Sequence, residues 1–551
     1  MKNLLRLYAA LTKTERYVLL VAGLCFTLSG FFLSLGAFYK YTVLAPASGG
    51  VYTEGIVGQP TAINPILSPA NEVDRALLEI LFADLLELSE AYKIGEGNKV
   101  WTITLKENLK WSDGKPLTSD DVVFTIEAIQ NPDSRSTLQS AWQGVTAQRL
   151  SEREVRFVLK TPYAYFLESL KTLKIAPKHI FGGIPTSNLR LSNYNLEPIG
   201  SGPYKFESFE KKRDGFISSY HFRPNQYFSG AAPYIREFYI RFFPDINDAV
   251  IAFNKRSVDG LGGLDPVSLE NLIIRYELSA INLPRYYAVF FNQSVSVPLK
   301  EKPVREALEL SVNKNFLIEK IFGGRAIVIN GPIVPGVTGY HPEIYDENTF
   351  SPEKASKLLE DAGWKLNERG IREKKTNKET ARLEFDLVVP EIRFLIETAN
   401  QIKESWAAIG VSATLIVMNP TDVANDVIRN RNYQMILFGN ILNNTPDVLS
   451  FWHSAERFYP GLNLSLYDNK TIDTVLESIR REFDQEKRDK ALAQLQSQIK
   501  NDVPAVFLFS PKYLYAAPKN FGGLNEQFIT TPANRFDKVN EWYLKTSRVF
   551  R

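Results

Sequence analysis

The sequence predicts an α/β protein of two or more lobes, preceded by one membrane-spanning helix. Three observations predict it. At 551 residues the chain exceeds the size at which a single hydrophobic core keeps growing. Between residues 383 and 418 the apolar pattern passes from strand to helix to strand, the order expected of an α/β lobe. Residues 17–39, YVLLVAGLCFTLSGFFLSLGAFY, carry no charged side chain over 23 positions, and a spanning helix needs about 20.

The N-terminal span comes first in the chain. Lys2, Arg6, Lys13 and Arg16 precede it against one acid, Glu15. Positive-inside logic therefore places residues 1–16 in the cytoplasm and everything after Lys40 outside the cell membrane, in the periplasm or cell exterior. Leu24, not a small residue, precedes Cys25, which argues against a lipoprotein cysteine. Ala45-Pro46-Ala47 has the A-x-A form of a cleavage site, but the apolar run exceeds the roughly 7 to 15 residues of a signal-peptide core. An uncleaved single-pass anchor at 17–39 is the expectation, with 40–50 as a tether containing Pro46 and Gly49-Gly50.

Composition bounds the chemistry of the body. Hydrophobic content of 44% and charged content of 23% describe an ordinary globular protein. With 65 Lys plus Arg against 62 Asp plus Glu, nothing points to nucleic acid. Cys25 is the single cysteine, so intrachain disulfides and thiolate metal clusters are excluded. His179, His221, His341 and His453 show no metal-ligand spacing. No catalytic residue, metal ligand or cofactor is assigned. Most of the aromatic residues are expected in the core, with some Tyr and Trp free to line a ligand cleft.

The body then reads in order. Residues 51–67 begin as a strand and become irregular at Gln59, Thr61 and Ile63-Asn64-Pro65. In 100–129, Trp101, Ile103 and Leu105 alternate as a half-buried strand; Asp113-Gly114 and Pro116 turn the chain. Thr118 then caps a helix with Asp120 and Asp121 in its first turn and Val122, Ile126 and Ile129 on one face. A short strand follows at 155–159, and Gly200-Ser201-Gly202-Pro203-Tyr204 reads as a tight turn before an antiparallel strand. It is not a phosphate cradle, because no Gly-Lys-Ser/Thr and no helix start follow. Residues 235–243 and 285–292 are strands, 245–254 a short helix, and 303–308 a helix opened by Pro303. Ser351 caps a helix that Gly363 ends. After the 383–418 unit come a strand at 433–439, a polar loop at 440–447, helix over most of 470–500 and an apolar strand at 505–510.

Several of these blocks together resemble the extracellular solute-binding proteins of family 5, the oligopeptide, dipeptide and nickel type. The resemblance rests on Asp113-Gly114, Pro116, Thr118 and Asp121-Val122; on Ile63-Asn64-Pro65; on Pro198 with Gly200 to Tyr204; on Asn225 to Tyr227; on Val304-Arg305 and Ala307; on Asn313-Lys314 and Gly323-Gly324; and on SPEKASKLLEDAG at 351–363. It covers roughly residues 51–525.

The resemblance implies a two-lobed clamp of the periplasmic-binding-protein type II kind with an inserted subdomain. Lobe I is expected from 51–85, 195–283 and 512–551, the subdomain from 86–194, and lobe II from 284–511, with hinges near 284–287 and 509–513. It implies a monomeric, non-enzymatic receptor that binds peptide or another small solute and serves an ABC permease and ATPase. Gln59 and Thr61 occupy a part of the pattern that faces ligand in relatives; Tyr287 and Ser510 lie at the crossovers; Asn440 and Asn443 lie in the loop where peptide-binding relatives carry an amine-pairing aspartate. Here that loop has no acid before Pro446, and a neutral amide holds an ammonium less strongly than a carboxylate does. Asp447 is a substitute that suits a helix start equally well, and Trp452 and His453 are expected as buried structure. A non-peptide solute or signalling peptide, or a receptor uncoupled from import, is the alternative. A hydrolase is disfavoured, since no GxSxG, HExxH or Walker motif is present.

Overall fold

The computed structural model describes residues 10–68, 71–346, 350–375, 380–442 and 445–551. Lys2, Arg6 and Asn443 lie outside the described residues. The apolar helix is Lys13–Tyr41, opened by a capping box in which the Thr12 N–H and hydroxyl both donate to the Glu15 carboxylate at 2.8 Å. None of its residues is buried by the rest of the chain. It runs directly into the strand Thr42–Ala47, which pairs antiparallel with Lys545–Phe550, from Thr42 opposite Phe550 to Ala47 opposite Lys545. The stretch expected as a tether is thus one half of a ribbon, and its partner strand arrives from about 500 residues away, where no local pattern signals it.

Two large sheets form the body. In the first, seven strands lie in the order Glu277–Ile281, Tyr513–Ala517, Gly260–Gly262, Val51–Val57, Glu237–Phe243, Ile217–Pro224, Tyr204–Lys211. The second has six, in the order Ala326–Val328, Ala505–Pro511, Arg285–Phe291, Met435–Ile441, Glu384–Pro390, Ser412–Met418. The parallel pair Glu384–Pro390 and Ser412–Met418, joined by the helix Arg393–Ala407, is the expected strand–helix–strand unit. Both faces of the six-stranded sheet are covered. Along Arg285–Phe291, Val289 and Phe291 enter one core while Tyr286, Ala288 and Phe290 enter the other, the period-2 alternation of a pleated strand. Ser412–Met418 buries only part of its apolar set: Ala413 is buried but Val417 is 44% exposed, because this strand is the sheet edge.

An antiparallel sheet of Ser89–Gly95, Val100–Leu105, Glu154–Val158 and Thr146–Arg149 carries the 100–129 block. Trp101, Ile103 and Leu105 are buried as expected, and Thr118 caps the helix Ser119–Gln130 in a capping box with Asp121. This sheet shares a core with the seven-stranded one. Gly200 and Gly202 serve a purpose other than turning. Their α-carbons abut the backbone at Leu81 and Phe82, and a Cβ on Gly202 would lie 2.6 Å from the Leu81 carbonyl carbon.

Two buried charge clusters pin these parts together. The Arg535 guanidinium, 3% exposed, donates to Glu54 Oε1 at 3.0 and 3.1 Å, and the Tyr515 hydroxyl donates to Glu54 Oε2 at 2.7 Å. At the root of the 89–158 sheet, Lys174 meets Glu79 at 2.7 Å and Asp84 at 3.1 Å. Burial, with Glu79 and Glu87 nearby, pushes the Asp84 carboxyl up to about 7 against the pull of Lys174.

Candidate functional site

Two passages connect the large sheets. Residues 282–285 leave the first sheet's edge strand and start the central strand Arg285–Phe291 of the second. Residues 511–513 return the chain, separating Ala505–Pro511 from Tyr513–Ala517. The passages are tied to each other: the Ser510 hydroxyl, buried, donates to the Leu283 carbonyl at 3.1 Å. The Leu442 N–H donates to the Pro284 carbonyl at 2.7 Å, which ties the 440–447 loop to the same point.

The candidate residues fall around these passages. Tyr287 sits opposite Gly439 and Phe509 in the sheet, with the Phe394 ring edge-on at 5.1 Å. Its ring lies over Gly439, where a Cβ would approach it to 2.8 Å, so glycine is required for the aromatic to lie flat there. Burial raises the Tyr287 hydroxyl's pKa. Asn440 is 4% exposed, lies within the strand Met435–Ile441, one residue before its end, rather than in the loop, and donates to the Tyr286 hydroxyl at 2.9 Å. On the first sheet's side, Gln59 and Thr61 are exposed. The Gln59 side-chain Oε1 accepts the Ile217 N–H at 3.0 Å, and the Thr61 N–H and hydroxyl donate to Asp74 at 2.8 and 2.5 Å. The loop is thereby fastened at Gln59 to the strand Ile217–Pro224 and at Thr61 to the helix Glu72–Leu81.

That helix brings in groups the sequence alone does not point to. Glu72 Oε1 is buried with no hydrogen-bond partner among the described residues. Burial raises its carboxyl's pKa, opposed by the Arg535, Arg75 and Arg285 charges. Arg285 opens the second sheet's central strand, so part of the charge that favours the Glu72 carboxylate comes from beyond the passage.

A second bridge stands away from the passages. The Tyr163 hydroxyl donates to Asp447 Oδ2 at 2.9 Å, and Arg480 Nε reaches the same oxygen at 3.1 Å. The Arg480 guanidinium lies 5.1 Å from the Tyr163 ring centre, and its carbonyl accepts the Ala164 N–H at 2.8 Å. Arg488 sits 5.5 Å from the Tyr165 ring. Beside this bridge a cavity of about 310 Å³ is lined by Thr161, Tyr163, His453, Glu456, Glu477 and Arg480. Trp452 is buried, as expected. His453 is largely covered, but it faces this cavity. Asp447, considered as a substitute for the missing loop acid, is thus already engaged by a phenol and a guanidinium, and its Oδ1 accepts the Leu449 N–H at 3.4 Å. Tyr163 and Arg480 are more than 300 residues apart, and neither carries a local motif that would pair them.

Among the described residues, no group of three or more His, Cys, Asp or Glu is arranged to hold a metal ion. The arrangement has two covalent passages between the sheets and, away from them, a polar bridge.

Comparison with known proteins agrees on the architecture. Residues 86–457 match the family model described as bacterial extracellular solute-binding proteins, family 5 Middle. The oligopeptide-binding protein AppA of Bacillus subtilis is 27% identical over 531 residues, covering 91% of this chain and 92% of that protein. The nickel-binding periplasmic protein of Escherichia coli is 28% identical over 341 residues, covering 60% of this chain and 62% of that one. The solved structure of AppA in complex with a nonapeptide superposes with a TM-score of 0.70 at 24% identity, over 91% of this chain and all of that one.

Proposed function

Because the chain belongs to the bacterial extracellular solute-binding proteins of family 5, a family of two-lobed clamps, we propose that it captures peptides between its lobes by hinge closure and delivers them to an ABC permease and ATPase. The observation that carries this reading is the pair of tied passages, at Leu283 and Ser510, between two separately covered sheets. Lobe I comprises 51–85, 195–283 and 512–551 with the subdomain 86–194, and lobe II comprises 284–511. Ligand bridging the lobes favours the closed form by its differential affinity for it, which is all that closure requires. An extended peptide supplies main-chain hydrogen bonds to such a cleft without demanding one side-chain sequence. Gln59, Thr61, Tyr287, Asn440, Asn443 and Ser510 are the residues assigned to ligand or to the hinge beside it. The protein acts as a monomer without catalysis, held to the membrane by the helix Lys13–Tyr41.

One observation favours a second reading, in which the same clamp holds a non-peptide solute. The 440–446 loop offers no acid for a peptide amine, and Asp447 is occupied by Tyr163 and Arg480. The nickel-binding relative makes such a cargo a realistic competitor. Titration of the full chain in nanodiscs with mixed peptide pools tests the first reading: saturable binding with compaction in small-angle scattering is expected. No binding across varied pools overturns it. Native mass spectrometry of copurified ligand decides between the two.

A further inference from the structure

We propose that the strand Lys545–Phe550, with Arg551, is a second membrane-contact element, docking on the outer leaflet beside the helix and binding the phosphate groups of anionic phospholipids. The inference rests on the reading of Lys13–Tyr41 as a retained anchor.

Geometry sets the depth of this strand. The uncharged residues 17–39 span about 35 Å as a helix, against about 30 Å of hydrocarbon. Tyr39 therefore reaches the interface, and Lys40 is the first charge beyond it. The ribbon register places Phe550 opposite Thr42, at the helix exit, and the Phe550 ring meets Phe38 edge-on at 6.3 Å. Phe550 thus reaches back toward the bilayer side of the exit. It is 75% exposed, and Tyr39 and Tyr41 are 56% and 58% exposed. Together they form an aromatic cluster at the level where such rings favour the headgroup boundary.

Charge agrees with depth. The Arg548 guanidinium lies 4.2 Å from the Tyr39 ring centre and donates to the Thr42 carbonyl and hydroxyl at 3.3 and 3.1 Å. The Arg551 N–H donates to the Tyr41 carbonyl at 3.0 Å. Lys40, Arg548 and Arg551 therefore surround the exit, and neither 40–50 nor 542–551 contains an Asp or Glu. A cationic rim around exposed aromatic rings, continuous with a membrane span, complements an anionic lipid surface.

The test uses the full chain in vesicles. Val549→Cys in a Cys25→Ser background carries an environment-sensitive fluorophore next to the docking residues. In vesicles containing phosphatidylglycerol, lipids brominated near the headgroup should quench it and aqueous iodide should not. Each basic residue near an anionic surface favours contact about fivefold, so losing two of them in Arg548→Glu with Arg551→Glu should lower the docked-to-free ratio about twenty-five-fold, and the added negative charges should lower it further. High salt, or phosphatidylcholine alone, should weaken docking in the same direction. Iodide-accessible label in phosphatidylglycerol vesicles, unchanged by the charge reversals, overturns the proposal. The anchor reading has its own readout: native Cys25 in the unmodified chain should resist a membrane-impermeant maleimide until the vesicles are dissolved. Protected Cys25 with a water-exposed residue 549 refutes the strand's docking alone; reactive Cys25 refutes the anchor and the docking with it.

Discussion

Removing one oxygen atom, in Tyr163→Phe, separates hinge closure from static packing. The hydroxyl donates to Asp447 Oδ2 at 2.9 Å, which under the proposed division crosses from the subdomain to lobe II, so opening about the two passages would break it. A hydrogen bond to a charged group contributes about 1.5–3 kcal/mol. Asp447 keeps Arg480 at 3.1 Å and the Leu449 N–H at 3.4 Å in the variant, so no carboxylate is orphaned and the lower end applies. The phenyl ring also keeps its place near the Arg480 guanidinium. A loss of about 1.5 kcal/mol from the closed form alone lowers the closed-to-open ratio about tenfold, and ligand affinity falls by the same factor where the free protein is mostly open. Under the proposed closure the bridge holds the closed form, so the change should appear in the dissociation rate. Calorimetric titration with a bound peptide, stopped-flow dissociation and scattering of the liganded protein measure it, with thermal unfolding as the control. Wild-type affinity and dissociation rate in a folded variant would show that the bridge persists in the open form and refute the reasoning.

Other perturbations probe the scaffold. Glu54→Gln leaves the buried Arg535 charge without its carboxylate and should cost about 3–5 kcal/mol in denaturant unfolding. A loss under about 1 kcal/mol would mean that water reaches Arg535. For Asp84 the folded carboxyl titrates near 7 and the unfolded one near 3.9. The folded state therefore holds the proton longer, and this group's contribution to stability falls as pH rises from about 4 to about 7. Asp84→Asn should flatten that slope and match or exceed wild-type stability at pH 8; a variant weaker than wild type there would show that the ion pair with Lys174 outweighs burial. Gly202→Ala, which forces a Cβ to 2.6 Å from the Leu81 backbone, should reach the upper end of the about 1–3 kcal/mol typical of overpacking. Unchanged unfolding would show that the loop shifts freely.

Much of the fold was legible because its signals are local. Thr118 and Ser351 cap helices as their sequences require, and Trp101, Ile103 and Leu105 bury on alternate positions. The rest depends on partners remote in sequence. Thr42–Ala47 contains only a proline and small or apolar residues, and nothing in it indicates pairing with Lys545–Phe550. Gly200 and Gly202 look like turn glycines, yet their constraint comes from the backbone of a distant helix end. Leu283 and Ser510 lie at or beside the crossovers that the family resemblance implies near 284–287 and 509–513, whereas the Tyr163–Asp447–Arg480 bridge and the buried Glu72 Oε1 are visible only in the tertiary structure.

The stretch 505–517 gives the six-stranded sheet a strand between Ala326–Val328 and Arg285–Phe291, and the seven-stranded sheet one between Glu277–Ile281 and Gly260–Gly262. Neither sheet can close until this late segment has left the ribosome and the translocation machinery. Until then both nascent halves present unpaired edges, the surfaces most prone to aggregate. A single late segment thus completes both sheets at once. Truncation ahead of residue 505 should accordingly leave two unfinished sheets instead of one intact lobe.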